Sequence, residues 1–293
     1  MPADTAQRAE DLITAKSRRD AAVLDRARSL QLDIASWGRT VGLRVPALPE
    51  LAFYNKARGV NADDLAHLPA ICAFFTSAGI TPTLEVWAAD ASDRLGAALV
   101  GLGLSAGTVT AVLHRHLTDV PRSPGAADGT VTVTELDPAD PDADYFATLV
   151  GGYGLADARP ERRAMLHAEH DPATVRRYVA RVDGRPAAAA GLYLHPDGAL
   201  LSGAATLPEY RRRGCQAALI RRRLADAALV TDLAVVTVAY GSTSQTNLER
   251  AGFHLTHART SWQPLEPSST RGVRCATAGG CRAGAGTPAT RRA

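Results

Sequence analysis

In the first 120 residues, apolar side chains recur three and four positions apart in three segments and form short continuous runs in two more. These patterns predict three helices, at residues 5–37, 63–78 and 91–102, and two strands, at residues 82–88 and 108–113. A glycine follows each predicted helix (Gly38, Gly79 and Gly103), as is common where a helix ends.

From residue 130 onwards strand-like runs dominate. They predict strands at residues 130–136, 178–182, 187–194, 199–207, 233–239 and 255–262, with mostly helical segments at 142–152, 160–180, 213–228 and 244–251. Two Asp-Gly turns, at 183–184 and 197–198, separate apolar runs and indicate antiparallel hairpins. The sequence therefore predicts an α+β fold, with a mixed, mainly antiparallel sheet flanked by helices.

Two segments of the chain resemble each other. Residues 83–117 and 234–265 both read as strand, polar turn, short helix, glycine plus an apolar residue, and strand. Either the match is chance, because this succession is common, or the fold is duplicated and its first copy has lost a segment. The Pro, Ser, Gly and Asp residues around 119–130 predict a linker. We expect domains at 1–120 and 131–265, a linker at 121–130, and a disordered tail at 266–293 rich in arginine, glycine and alanine.

Charge and composition exclude several classes of partner. The chain carries a net charge of +3, but five arginines and one glutamate after residue 265 contribute +4, which leaves −1 for the rest. We therefore expect no nucleic-acid partner. No apolar run is long enough to span a membrane, the first residues do not resemble a secretory signal, and the 4 cysteines form no CxxC pair. We expect a cytoplasmic protein without a metal site.

The segment 204–218 carries the candidate chemistry. A strand leads through Pro208 to Gly214, where a helix begins. Free amides at a helix start, the helix dipole and a glycine without Cβ favour a bound pyrophosphate, and Arg211, Arg212 and Arg213 add positive charge. A solvated turn that binds nothing is the alternative interpretation.

This segment, Leu207-Pro208-Glu209-Tyr210-Arg211-Arg212-Arg213-Gly214-Cys215-Gln216-Ala217, resembles the acetyl-CoA motif of the GNAT (GCN5-related) N-acetyltransferases. The resemblance covers residues 130–263, and the first half resembles the degenerate half of tandem members. It implies two GNAT-like halves, with coenzyme bound only by the second. Residues that the resemblance assigns to acetyl-CoA are the backbone of Ala205, Thr206 and Leu207, the segment Arg211, Arg212, Arg213, Gly214, Cys215, Gln216 and Ala217, and the side chain of Asn247.

The resemblance implies N-acetyl transfer from acetyl-CoA to a primary amine of a small molecule or peptide, by direct attack. Leu248 stands where many members have a tyrosine that protonates the leaving thiolate, so we assign this role to Tyr240. We expect Glu169 and His170 at the surface and Ser244 as a helix N-cap. A non-catalytic acyl-CoA-binding or regulatory protein is the alternative function. The acceptor, the acyl chain length and the choice between monomer and homodimer stay open.

Overall fold

The structure is a computed structural model that describes residues 3–121, 130–139 and 143–265. The predicted tail and most of the predicted linker lie outside these residues, so the domain boundaries stay a prediction. The helices of the described residues are α1 Ala3–Ala27, α2 Leu68–Thr76, α3 Asp93–Gly101, α4 Ala143–Tyr153, α5 Pro160–Glu169, α6 Cys215–Ala227 and α7 Thr243–Arg250. The strands are β1 Asp33–Trp37, β2 Thr40–Arg44, β3 Lys56–Val60, β4 Leu84–Trp87, β5 Leu104–His116, β6 Val131–Glu135, β7 Val175–Val182, β8 Arg185–His195, β9 Gly198–Leu200, β10 Ala204–Thr206, β11 Leu233–Ala239 and β12 His254–Pro264.

The strands form one continuous sheet in the order β1-β2-β3-β4-β12-β5-β11-β9-β8-β7-β6, and β10 pairs with β8. Among the described strands, only the pairs β3–β4 and β9–β11 are parallel. The prediction of an α+β protein with a mainly antiparallel sheet is therefore confirmed.

The sheet contains the same arrangement twice. In the first half β1, β2 and β3 are antiparallel neighbours and β4 follows in parallel, while β7, β8, β9 and β11 repeat this pattern in the second half. Helices α2 and α6 connect the parallel strands, and α3 and α7 precede the last strand of each half. The similarity between residues 83–117 and 234–265 is therefore a structural repeat.

Each half gives its last strand to the other. Strand β12, the end of the second half, lies between β4 and β5 of the first, and β5 lies between β11 and β12. The β5–β12 pair runs from His254 opposite His114 to Pro264 opposite Leu104, with two register shifts. Removing either strand would break a ladder in both halves, so the halves depend on each other for a complete sheet.

The hydrophobic core of the second half lies on both faces of its part of the sheet. One cluster joins α6 to Tyr178, Ala180 and Leu192, while α4 packs with Val179 and Ala189 on the opposite face. Because side chains alternate along a strand, a sheet covered on both sides requires an uninterrupted apolar run. The four consecutive alanines that begin at Ala187 meet this requirement and let both helices approach closely.

The prediction of one long helix over residues 5–37 is wrong after Ala27. Arg28 has a positive φ of 49°, and the chain then forms the hairpin of β1 and β2 around Gly38. Leu30 and Ile34 keep a spacing compatible with a helix, but they reach the core from a loop and a strand. The pairing of β1 with β2 decides this region, and the spacing of apolar residues does not reveal it. The helix predicted at 160–180 likewise ends at Glu169, because residues from Val175 pair in β7.

We expect the two halves to unfold together. Leu192→Ala removes a fully buried side chain from the core of the second half and should lower the free energy of unfolding by about 2–5 kcal/mol. Trp37 and Trp262 pack against the core of the first half, so urea unfolding followed by tryptophan fluorescence measures that half. Its midpoint should fall with Leu192→Ala and stay unchanged with Leu229→Ala, whose side chain is 60% exposed. An unchanged midpoint for Leu192→Ala would show that the halves unfold independently.

Candidate functional site

The segment before α6 has the geometry expected of an anion-binding turn. Pro208–Tyr210 form a single 3-10 turn, and Arg212 and Gly214 then adopt φ angles of 63° and 82°. The first hydrogen bond of the helix runs from the Ala218 amide to the Gly214 carbonyl, at 3.0 Å. The amides of the three residues between them have no acceptor within the helix, and they lie at the positive end of its dipole.

Three arginines and a glycine make this turn exposed and positive. Arg211, Arg212, Arg213 and Gly214 are all solvent-exposed, and a Cβ built on Gly214 would meet no atom within 4 Å. The guanidinium of Arg213 lies 3.2 Å from the carboxylate of Asp183. The turn therefore has room for a phosphate group and positive charge to attract one.

Cys215 contributes only its backbone to this turn. Its side chain is 2% exposed and packs in the core, and burial raises the pKa of its thiol. Ala217, two residues later, is exposed on the first turn of α6.

Gln216 uses its side chain to connect α6 and α7. The Asn247 amide donates to its oxygen at 2.8 Å, and its own amide donates to the Ser244 hydroxyl at 3.3 Å. Asn247 therefore lies next to the start of α6. The prediction that Ser244 caps α7 is wrong, because the cap is Ser242, whose hydroxyl accepts a hydrogen bond from the Gln245 amide at 3.2 Å.

The equivalent connection in the first half carries carboxylates where the second half has arginines. Asn61 and Asp64 form a capping box around the 3-10 turn at Ala62–Asp64, in which each side chain accepts a hydrogen bond from the other end of the turn, while α2 itself begins after His67 without a side-chain cap. The carboxylates of Asp63 and Asp64 also place negative charge there. A run of arginines and a glycine directly before the connecting helix is thus a feature of the second half.

Beyond this turn, a slot opens between β10 and β11. Strand β11 pairs with β9 at Ala199 and Leu200, but β10 pairs with β8 instead. The strand predicted at residues 199–207 is therefore broken at 201–203, and one edge of β10 is left facing the slot. The Leu207 amide donates to the Ala187 carbonyl at 2.9 Å. Along an antiparallel ladder, residues that are hydrogen-bonded to the neighbouring strand alternate with residues that face away from it. Ala205 and Leu207 consequently direct their backbone groups to β8, and Thr206 directs its backbone to the slot.

His170 packs against the backbone at this break. Its ring occupies the space in which any other residue at 203 or 191 would place its side chain. A Cβ built on Gly203 would lie 2.4 Å from the ring, and one built on Gly191 would lie 3.1 Å from it. Gly203 has a φ of 42°, which disfavours other residues. His170 is 2% exposed, its Nδ1 lies 2.7 Å from the Tyr145 hydroxyl, and burial lowers its pKa to about 3. The expected surface position of His170 is therefore wrong, because the side chain fills the space beneath the break.

The slot leads into a cavity of about 540 Å³ that both halves line. The second half contributes residues 200–204 and 236–238, with α6 and α7, and the first half contributes α1, β3 and residues 53–54. Helix α5 closes the side nearest to α1. Tyr240 does not line this cavity; its side chain is 55% exposed and its amide donates to the carbonyl of Val109 in the middle of β5. The structure thus places Tyr240 outside, next to the pair of strands that joins the halves.

Glu169 is directed into the cavity, so its expected surface position is also wrong. The Tyr54 hydroxyl donates to the carboxylate of Glu169 at 2.8 Å, and the Lys16 ammonium donates to the backbone carbonyl of Glu169 at 2.9 Å. Burial raises the pKa of Glu169, although Lys16 and Tyr54 oppose the shift. Close by, burial and the charge of Glu169 raise the pKa of Tyr153 to about 12, and its hydroxyl is hydrogen-bonded to the backbone of Ala204. A carboxylate and a tyrosine hydroxyl therefore lie where the slot meets the cavity.

A second buried pair lies on α1. Lys16 forms an ion pair with Asp20, and both side chains are less than a tenth exposed. Burial and the nearby carboxylate of Glu169 raise the pKa of Asp20 to about 7, against the effect of Lys16. Sequence reasoning missed these residues, although Lys16 and Asp20 occupy the same helical stripe as the buried residues Leu12 and Leu24. Charged residues within an apolar stripe were the available signal.

A buried network of charges forms the opposite wall. Burial disfavours ionisation of Glu10, but Arg259, His257 and Arg58 outweigh it and lower its pKa to about 2. Arg259 donates to Glu10 at 2.8 Å, and Glu85 accepts from Lys56 at 2.9 Å. These side chains connect α1 to β3, β4 and β12, so the network crosses the boundary between the halves.

Neither a membrane-spanning helix nor a metal-binding cluster is found among the described residues. None of their helices is long and apolar enough to cross a membrane. They also contain no group of three or more His, Cys, Asp or Glu side chains that could hold a metal ion.

No family model matches this chain, and no curated protein matches it. Solved structures do. A GCN5-related N-acetyltransferase from Kribbella flavida is 20% identical, with a TM-score of 0.57, over 85% of this chain and 95% of that one. A GCN5-related N-acetyltransferase from Sphaerobacter thermophilus is 12% identical, with a TM-score of 0.54, over 76% and 79%. A tandem GNAT protein from the clavulanic acid biosynthesis pathway is 17% identical, with a TM-score of 0.55, over 82% and 85%.

We expect His170 to make the protein less stable in acid. In the folded protein the pKa of His170 is about 3, below the ordinary value of 6.5. The stabilisation that comes from burying a neutral His170 is therefore complete above pH 6.5 and is lost as the pH falls towards 3. His170→Gln removes this titration while keeping a polar side chain. Between pH 6 and 4, the free energy of unfolding from urea titrations should fall less steeply for the variant, by up to about 1.4 kcal/mol per pH unit. Equal slopes for both proteins would contradict a neutral buried His170.

Proposed function

We propose, from the premise that this chain has the GNAT fold, that it transfers an acetyl group from acetyl-CoA to a primary amine in the cytoplasm. The observation that carries the proposal is the continuous path from the free amides at the start of α6, along the open edge of β10, into the cavity between the halves. The fold by itself does not define the reaction, so the argument depends on the residues along this path.

The residues at the outer end of the path fit a pyrophosphate. The amides from Arg212 to Ala217 would hold it, Arg211, Arg212 and Arg213 would balance its charge, and Gly214 leaves space for it. The contact between Asn247 and Gln216 would fix the start of α7 against this group. Acetyl-CoA supplies the thioester carbonyl that an amine attacks.

The residues at the inner end suit the attack itself. The backbone of Thr206 faces the slot and would pair with the pantetheine arm, whereas the backbones of Ala205 and Leu207, which the resemblance also assigns to that arm, are paired with β8 instead. An alkylammonium must lose a proton before its nitrogen can attack. Glu169 would accept that proton, because burial brings the pKa of its carboxyl closer to neutrality. Tyr153 stays protonated at neutral pH and would donate to the leaving thiolate, a role for which Tyr240 is the other candidate.

Gly214→Glu should abolish the binding of acetyl-CoA. The substitution places a negative side chain at the turn where the pyrophosphate would lie. Gly79→Glu is the matched control, because Gly79 has a similar φ, 69° against 82°, and equally open surroundings but follows α2 in the first half. Isothermal titration calorimetry with acetyl-CoA should detect binding to the wild type and to Gly79→Glu only.

Failure of the wild type to bind acetyl-CoA would overturn the proposed function. Binding without release of free thiol in the presence of a panel of primary amines would instead favour a non-catalytic acyl-CoA-binding protein. Equal binding by both glycine variants would place the coenzyme away from this turn.

Glu169→Gln should lower kcat by roughly 100-fold or more at pH 7 with a much smaller change in KM, because it removes the proton acceptor. The glutamine oxygen can still accept from Tyr54. A carboxyl with a raised pKa destabilises the folded protein as the pH rises through that pKa, so the variant should also unfold at a higher temperature at pH 8. Glu161→Gln, on the same helix but outside the cavity, is the control. A kcat equal to that of the wild type would exclude Glu169 as the base.

A further inference from the structure

The cavity has an excess of positive charge. Among the described residues that line it, six are cationic and two are acidic, namely Lys16, Lys56, Arg58, Arg162, Arg223 and Arg259 against Asp20 and Glu169. Glu10 and Glu85 contact three of the cations from behind the wall. Even with both counted, two positive charges lack a carboxylate. A polyamine or a lysine-rich peptide would be repelled here, and an anionic group would be attracted.

Two of these cations have donors without a partner. Arg58 is 4% exposed, and its Nε has no hydrogen-bond acceptor. Nη1 of Arg162 is also buried and has no acceptor. The other contacts of Arg58 are a hydrogen bond from Nη2 to Thr14 at 3.0 Å and a Glu10 oxygen 3.9 Å from Nη1. Leaving a buried donor unpaired is costly, and a planar guanidinium is well matched to a carboxylate. Both side chains are therefore suited to bind a carboxylate of a ligand in the cavity.

One tyrosine places a cation and an acid side by side. The guanidinium of Arg162 lies over the ring of Tyr54, 4.9 Å from its centroid, and the hydroxyl of the same tyrosine donates to Glu169 at 2.8 Å. A single small molecule could thus present a carboxylate to Arg162 and an amine to Glu169. The wall around these groups is mainly apolar and includes Leu43 and Met165.

Resting on the proposed function, we propose that the amine acceptor is a free amino acid with an apolar side chain, whose carboxylate is bound by Arg58 and Arg162. The ammonium group gives one proton to Glu169, and the amine nitrogen then forms a bond to the acetyl carbon. The carbon–sulfur bond breaks, Tyr153 gives its proton to the departing thiolate, and the second proton of the nitrogen returns to Tyr153. The products are an N-acetyl amino acid and coenzyme A with a free thiol.

The substrate test compares molecules that differ only in the carboxylate. Leucine, isoleucine, valine, methionine and phenylalanine are each assayed with acetyl-CoA against their amides and their decarboxylated amines, by release of free thiol. At least one amino acid should exceed its own amide by roughly 10- to 100-fold in kcat/KM, mainly through KM, as expected for a lost charge-assisted hydrogen bond. Amides or amines that react as fast as the acids would overturn the inference and leave the proposed function standing.

The variant test asks whether Arg162 causes this preference. Arg162→Met should bring the ratio of acid to amide close to one, and Arg162→Lys should restore part of it. Arg159→Met is the matched control, because Arg159 precedes the same helix, is 54% exposed and lies outside the cavity. A ratio that does not change in Arg162→Met would overturn the assigned role. Arg58→Met is the second variant, with its folding checked by circular dichroism, because Arg58 belongs to the buried network.

A binding test keeps the two proposals separable. Calorimetry without acetyl-CoA compares each N-acetyl amino acid with its N-acetyl amide, so its result does not depend on turnover or on the coenzyme. Tighter binding of the acids by the wild type, lost in Arg162→Met, supports the carboxylate site even if no acetyl transfer occurs. Equal binding, or none, overturns it even if acetyl-CoA binds.

Discussion

The antiparallel pair of β5 and β12 is the contact on which the rest of the structure depends. Each strand belongs by chain order to one half and pairs with the penultimate strand of the other, β5 with β11 and β12 with β4. The two halves therefore share one sheet, and the cavity between them has walls whose relative position is fixed by backbone hydrogen bonds. The buried network of Glu10, Arg58 and Arg259 reinforces the same boundary through side chains.

A local break in this sheet produces the slot. Strand β9 stays with β11 and β10 follows β8, and the break between them coincides with the positive φ of Gly203 and the buried ring of His170. The break leaves one edge of β10 unpaired beside a helix start with free amides. An unpaired strand edge is normally a liability, but here it faces the slot, where an extended ligand can pair with it.

The charged residues of the cavity are held in an unfavourable environment by the apolar parts of the protein. Burial raises the pKa values of Glu169 and Asp20 and lowers those of Lys56, Arg58 and Arg223. Such groups reduce stability, and they persist where packing on every side keeps the helices and strands in place. The same physical situation creates a carboxylate able to accept a proton and guanidinium groups with free donors.

The sequence by itself determined most local elements of the second half and the arginine-glycine turn before α6, because these depend on short-range features: Asp-Gly turns, apolar runs, and a glycine before an amphipathic helix. The repeat of residues 83–117 at 234–265 was also visible. Tertiary structure alone decided the β1–β2 hairpin and the exchange of β5 and β12, since strand pairing is set by partners far apart in the chain. It also decided the cavity, where Lys16, Tyr54, Arg58 and Glu169 meet across more than 100 positions. No periodicity of a single segment records such a meeting, because it arises only when several elements pack together.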